Sequence, residues 1–146
     1  MPAITVRVRN MGRLQAKVKK LPLDIQAATV IGLRSLSQPI EDDIKRSIRT
    51  GARTGRIVKR YHPERIHQAS APGEVPANDR GMLANSIEVD VDPNQFNMTI
   101  SASAPYAQEL EYGTKRMLPR PFLRPALTRW RERIIAAIHN AIKRGL

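Results

Sequence analysis

The chain has no cysteine in its 146 residues. That absence excludes a disulfide scaffold, a cysteine-ligated zinc or iron–sulfur site and a thiol nucleophile. Aromatic residues are few, with one Trp, three Tyr and two Phe, so the platforms on which single-stranded nucleic acid is usually stacked are scarce. No run approaches the ~20 apolar residues of a membrane span. The stretch from Met1 to Val8 lacks the apolar core of about 7 to 15 residues that marks a secretory signal. Acidic side chains are also in deficit: 13 Asp and Glu stand against 25 Lys and Arg, a formal net charge of +12. These features lead us to expect one soluble, basic domain over residues 1–146, with no cofactor and no membrane association. A chain of this length buries roughly two-thirds of its unfolded surface, enough for a real core.

The positive excess is unevenly placed. Residues 1–66 carry 15 basic and 5 acidic side chains, residues 67–114 carry 1 and 7, and residues 115–146 carry 9 and 1. A basic–acidic–basic order fits three readings. Clustered Lys and Arg bind phosphate by releasing counterions; a subunit with opposite potentials on two faces attracts its own copy; and solvated helix faces flanking one acidic hairpin give the same tally.

Periodicity places the elements. Ile4, Val6 and Val8 alternate with Thr5, Arg7 and Arg9, which predicts a short strand with one wet face. Between Leu21 and Ile48 the apolar residues Leu33, Leu36, Ile40, Ile44 and Ile48 recur at steps of three and four, which predicts a helix with Asp24 at its positive end. Pro39 lies within that run and predicts a kink, or a new helix starting near Ser37. Residues 49–82 are rich in Gly and Pro and read as an extended loop or arm, with strand character only from Arg56 to Tyr61. Ile87, Val89 and Val91, then Phe96, Met98 and Ile100, alternate with polar residues on either side of Pro93-Asn94-Gln95 and predict a hairpin with an acidic first strand. Tyr106 to Tyr112 reads as two helical turns, with Gly113 suited to a positive φ after them. Leu123, Leu127, Trp130, Ile134, Ile138 and Ala141 predict a closing helix whose first turn tolerates Pro121 and Pro125. The expected fold is α+β: a small, mainly antiparallel sheet packed by a long first-half helix and a carboxy-terminal helix.

No catalytic constellation emerges from these elements. His62, His67 and His139 have no metal-ligand spacing and read as surface or packing histidines. Gly51 to Arg56 reads G-A-R-T-G-R, which lacks the gap and the G-K-[ST] ending of a phosphate-binding P-loop. No G-x-S-x-G elbow occurs, and Glu109 and Glu111 fall on different faces of their helix. A non-enzymatic protein is expected.

Three stretches together resemble one family. They are S-A-P-G-E-V-P-A-N-D-R-G-M-L-A-N-S-I from Ser70 to Ile87, Y-A-Q-E-L-E-Y-G-T from Tyr106 to Thr114, and R-P-F-L-R-P-A-L from Arg120 to Leu127. In this order and spacing they are similar to the small neck and tail-completion proteins, or minor tail components, of long-tailed bacteriophages. The likeness spans residues 22–146, with Arg80 standing where the family commonly has threonine. It implies a structural virion protein, made in the host cytoplasm and assembled as a ring, hexameric rather than dodecameric, at the head–tail junction or the head-proximal end of the tail. Its neighbours would be further copies of itself, head-closure or connector proteins, and tail-terminator or tail-tube proteins, with genomic DNA passing non-specifically through the ring.

Candidate site residues follow from this reading. Glu88, Asp90 and Asp92 are expected at a subunit interface against a basic neighbour, and Pro72, Gly73 and Glu74 on an arm that docks a neighbouring subunit. Lys45, Arg46, Arg49, Arg53, Arg56, Lys59 and Arg60 are the residues expected to face DNA. Tyr106, Glu111, Gly113, Pro121, Phe122 and Pro125 are expected to seat the last helix. An independent, sequence-neutral nucleic-acid-binding protein is the alternative.

Overall fold

A computed structural model describes residues 4–7, 12–62 and 64–144; Val8, Arg9 and Pro63 of the expected elements lie outside the described residues. The chain runs β1 (Ile4–Arg7), α1 (Gly12–Val18), α2 (Leu23–Thr50), β2 (Ile57–Tyr61), β3 (Glu64–Gln68), α3 (Met82–Asn85), β4 (Ile87–Asp92), β5 (Asn97–Ala102), α4 (Ala107–Tyr112) and α5 (Leu123–Arg144). The architecture is α+β, with a long helix in the first half, a carboxy-terminal helix and small antiparallel sheets.

The main sheet has the order β1-β5-β4, both pairings antiparallel. Ile4, Ala102 and Ile87 stand side by side in register and are all buried. One residue along, Thr5, Ser101 and Glu88 form the next row, and they share the opposite, polar face because side chains alternate along a strand. The apolar face packs beneath α2 and α5, giving a two-layer body. Within the β4–β5 turn the Asp92 carboxylate accepts the backbone N–H groups of Asn94 and Gln95 at 2.8 and 3.1 Å, and Phe96 is buried at a φ of +50°. The second strand therefore starts at Asn97, one residue after the sequence alternation begins.

Helix α2 has 28 residues and is about 42 Å long at 1.5 Å per residue. Ile25, Thr29, Leu33, Ile40, Ile44 and Ile48 form its buried stripe, and Leu36 packs at the margin. The helix continues through Pro39, so Ser37 starts no new helix. Pro39 is on the exposed face, where water can reach the carbonyl its missing N–H leaves unpaired, while buried residues on both sides hold the helix down. α5 crosses α2 close to Gly32, where an added Cβ would lie 3.5 Å from the Ala137 carbonyl oxygen.

The 49–82 stretch carries more structure than its composition suggests. β2 and β3 form a separate two-stranded hairpin, pairing Ile57 with Gln68 and Tyr61 with Glu64. Reciprocal hydrogen bonds between residues 55–56 and Ala69 extend the ladder past its base. A Cβ on Gly55 would lie 2.4 Å from the Ser70 carbonyl oxygen, so only glycine admits this close backbone approach. The remaining loop lies on its own chain, with Pro76 buried and Val75 packed against the core.

Candidate functional site

The three stretches Ser70–Ile87, Tyr106–Thr114 and Arg120–Leu127 meet in space. The Gly73 N–H donates to the Pro119 carbonyl at 3.0 Å, Arg120 Nε donates to the Ser70 carbonyl at 3.0 Å, and the Arg120 N–H donates to the Leu110 carbonyl at 2.7 Å. At the centre is Glu111, only 1% exposed. Its carboxylate accepts the backbone N–H groups of Phe122, Leu123 and Arg124 at 2.7, 3.0 and 3.0 Å. Those are orphan donors of the first turn of α5, so a side chain from α4 caps a helix that has no Ser, Thr, Asp or Asn of its own at its start. Pro121 and Pro125 lack N–H groups and add no further donors there. Gly113 ends α4 at φ +76°, ψ 178°, a region essentially reserved for glycine, and its N–H donates to Glu109 O at 2.8 Å. A Cβ there would lie 2.8 Å from Met117 O.

The residues expected on a free arm are tied to their own chain. Gly73 has a φ of +84° and the Pro119 bond already described, and Pro72 is exposed beside it. The Glu74 carboxylate receives the Thr54 hydroxyl and the Ala71 N–H, which hold it below the ordinary glutamate range. This segment is a surface loop fastened to its own chain, by the Glu74 side chain to Thr54 and Ala71 and by the Gly73 backbone to Pro119.

The acidic strand is divided by its neighbours. Glu88 and Asp90 project from β4 into solvent, whereas Asp92 is half-buried and engaged in the turn. β4 is an edge strand, and its outer edge is unpaired among the described residues.

The basic residues expected to face DNA differ in their freedom. Arg46, Arg49, Arg53 and Arg56 are exposed, and Arg53 donates to the Arg49 carbonyl while Arg49 reaches Asn85. Lys45 is half-buried in an ion pair with Glu41 at 2.5 Å, and Lys59 pairs with Glu64 at 2.7 Å. The side chain of Arg60 lies outside the described residues.

A cleft of about 550 Å³ opens between the β2–β3 hairpin, the 76–83 segment and Tyr106. Apolar Val58, Leu83 and Leu110 line it together with His67 and Asp79. His67 Nδ1 stands 3.7 Å from Asp79 Oδ1, to which Arg65 Nη2 approaches within 2.7 Å. Burial pushes the Tyr106 hydroxyl above the ordinary phenol value, against a backbone hydrogen bond at Leu83. Sequence reading did not anticipate this grouping, because Arg65, His67, Asp79 and Tyr106 belong to no spaced motif and meet only where β3 lies against the 76–83 segment and Tyr106. Among the described residues no group of three or more His, Asp or Glu is placed to hold a metal ion. Among them, too, no helix is long and apolar enough to cross a membrane.

No family model, curated protein or solved structure matches the chain.

Proposed function

We propose that this chain is a non-enzymatic structural subunit of a tailed phage, forming a ring at the head–tail junction or the head-proximal end of the tail, through which DNA passes. The observation that carries the reading is the convergence of the 70–87, 106–114 and 120–127 stretches on one another through Arg120, Gly73 and Glu111. Motif residues that converge on a helix cap and a loop fastening, and not on a reactive group, belong to a part whose shape is its function. The charge distribution supports self-assembly. An exposed acidic edge at Glu88 and Asp90 sits on a molecule of net charge +12, so a neighbouring copy can offer it basic surface.

Reversal of Glu88 and Asp90 to Lys, with Asp92 left to hold the β4–β5 turn, tests the interface. Loss of the oligomer, read as a fall in mass to that of one folded chain, is the expected result; an unchanged assembly overturns it. For the role itself, a phage from which the coding sequence has been removed should yield filled heads and separate tails in electron micrographs. Joined particles at the wild-type frequency would exclude the neck assignment.

The exposed arginines Arg46, Arg49 and Arg53 favour a second reading, in which the chain binds duplex nucleic acid through phosphates on its own. A protein of that kind would bind as a monomer and need no virion.

A further inference from the structure

The β2–β3 hairpin is under-packed for an element of its kind. Isolated two-stranded hairpins are marginally stable in water. Here one face has support, since Val58 and His67 line the cleft against the hairpin's own chain. The opposite face carries Ile57, Tyr61 and Ile66, which are 63, 67 and 75% exposed. Three large apolar side chains on one side of a ten-residue hairpin form a patch of the sort that marks an interaction surface.

A complementary surface exists elsewhere on the same molecule. Among the described residues β4 offers an unpaired edge six residues long, and the hairpin strands are five residues each, so the lengths match. Val89 is only half-buried, whereas Ile87 and Val91 on the same face are buried. The inner apolar face is therefore incompletely covered at this edge. Charge gives the direction of pairing. Glu88 and Asp90 would bring carboxylates together if two β4 edges met, but they attract an incoming β2 strand led by exposed Arg56, which falls on the side opposite Ile57 and Tyr61, as Glu88 and Asp90 fall opposite Val89.

We infer that β2 of the β2–β3 hairpin of one copy adds to the free β4 edge of the next, its Ile57 and Tyr61 face, continued by Ile66, covering Val89 while Arg56 on the other side meets Glu88 and Asp90. The inference rests on the self-assembling reading above and names the basic surface which that reading leaves open. Because hairpin and edge are different patches, the contact is heterologous, the type that closes into a ring when its rotation divides a full turn and otherwise extends as a filament.

The absence of cysteine provides a clean test. Two single-cysteine chains of different tag length, Ile57→Cys and Val89→Cys, which the pairing sets on one face of adjacent strands, are mixed and treated with a short bis-maleimide. The heteropair is expected to dominate both homopairs, and Ile66→Asp, at an exposed position, is expected to abolish the oligomer with its thermal midpoint unchanged. If the wild type oligomerises but the heteropair does not form, or if Ile66→Asp still assembles, this interface is overturned and self-assembly by another surface stands. A wild type that stays monomeric by mass, with no heteropair, overturns both.

Discussion

A buried carboxylate is tolerable only when hydrogen bonds replace the water it has lost. Glu111 meets that condition with three backbone N–H donors at the positive end of α5, so its charge also complements the helix dipole. Arg124 lies at the rim, with Nε 4.0 Å from Glu111 Oε1 and its guanidinium over the Tyr112 ring. An amide in place of the carboxylate would turn its NH₂ group toward at least one of these donors. Glu111→Gln is therefore expected to lower the unfolding free energy by about 3 kcal/mol in urea denaturation, with exposed Glu109→Gln close to neutral. Glu111 was expected to help seat the last helix because of the stretch it lies in, and nothing in that stretch disclosed the cap. The available clue was negative: the start of α5 lacks an ordinary capping residue, so its donors need an acceptor from elsewhere.

At the scale of elements, α2 and α5 are held together by more than apolar contact. Asp43 on α2 accepts Arg129 Nη2 at 2.8 Å and Trp130 Nε1 at 2.9 Å, both from α5, and Arg133 lies over the Trp130 ring. Burial works to raise the Asp43 carboxyl, but the hydrogen bonds from Arg129 and Trp130 and the nearby positive charges outweigh it and hold the group below the ordinary aspartate value. A carboxylate depressed in the folded state contributes stability that is complete above its unfolded value near 3.8 and disappears as the pH falls through its folded value. Asp43→Asn should therefore be less stable than the wild type at pH 7, and the gap should narrow by about pH 3, as followed by Trp130 fluorescence during denaturation. Pro39 offers the opposite opportunity. It is exposed inside an unbroken helix, so Pro39→Ala is expected to add about 1–3 kcal/mol and to raise the thermal midpoint.

The elements that were legible in the sequence are those whose apolar residues all face one core. The Ile40, Ile44 and Ile48 stripe of α2, the Ile134 and Ile138 stripe of α5, and the alternation in β4 and β5 are of this kind. β2 was legible within Arg56 to Tyr61, but its partner β3 escaped because the apolar Ile57, Tyr61 and Ile66 face solvent and the register sets Lys59 opposite Ile66 and Arg60 opposite Arg65, leaving no apolar row to recognise. α1 and α3 are too short for periodicity to register. The cleft grouping of His67 with Asp79 depends on that same hairpin, so it was hidden for the same reason.

For the molecule as a whole, the exposed arginines on and just beyond the carboxy-terminal half of α2 set an expectation for DNA. Contact through phosphates alone should be weak, indifferent to base sequence and steeply reduced by salt. Replacing Arg46, Arg49 and Arg53 by Ala should flatten the plot of log affinity against log salt by about 0.9 per lost phosphate contact, measured by titration with duplexes of unrelated sequence. Tight binding that survives high salt would contradict a passive lining for a DNA channel.

The order of the main sheet also sets the timetable of its synthesis. β1 is made first, yet its partner β5 ends at Ala102, and Ile4 pairs with that last residue. At a ribosomal pace of about 5–20 residues per second, β1 waits on the order of ten seconds before a neighbour exists. During that interval α2 can already form, but the sheet it covers is incomplete, and the β4–β5 hairpin must close before the first strand has anywhere to bind. Nascent chains stalled before Ala102 should therefore be the most exposed to wrong pairing, and even the finished sheet must wait for α5, Leu123–Arg144, to cover it.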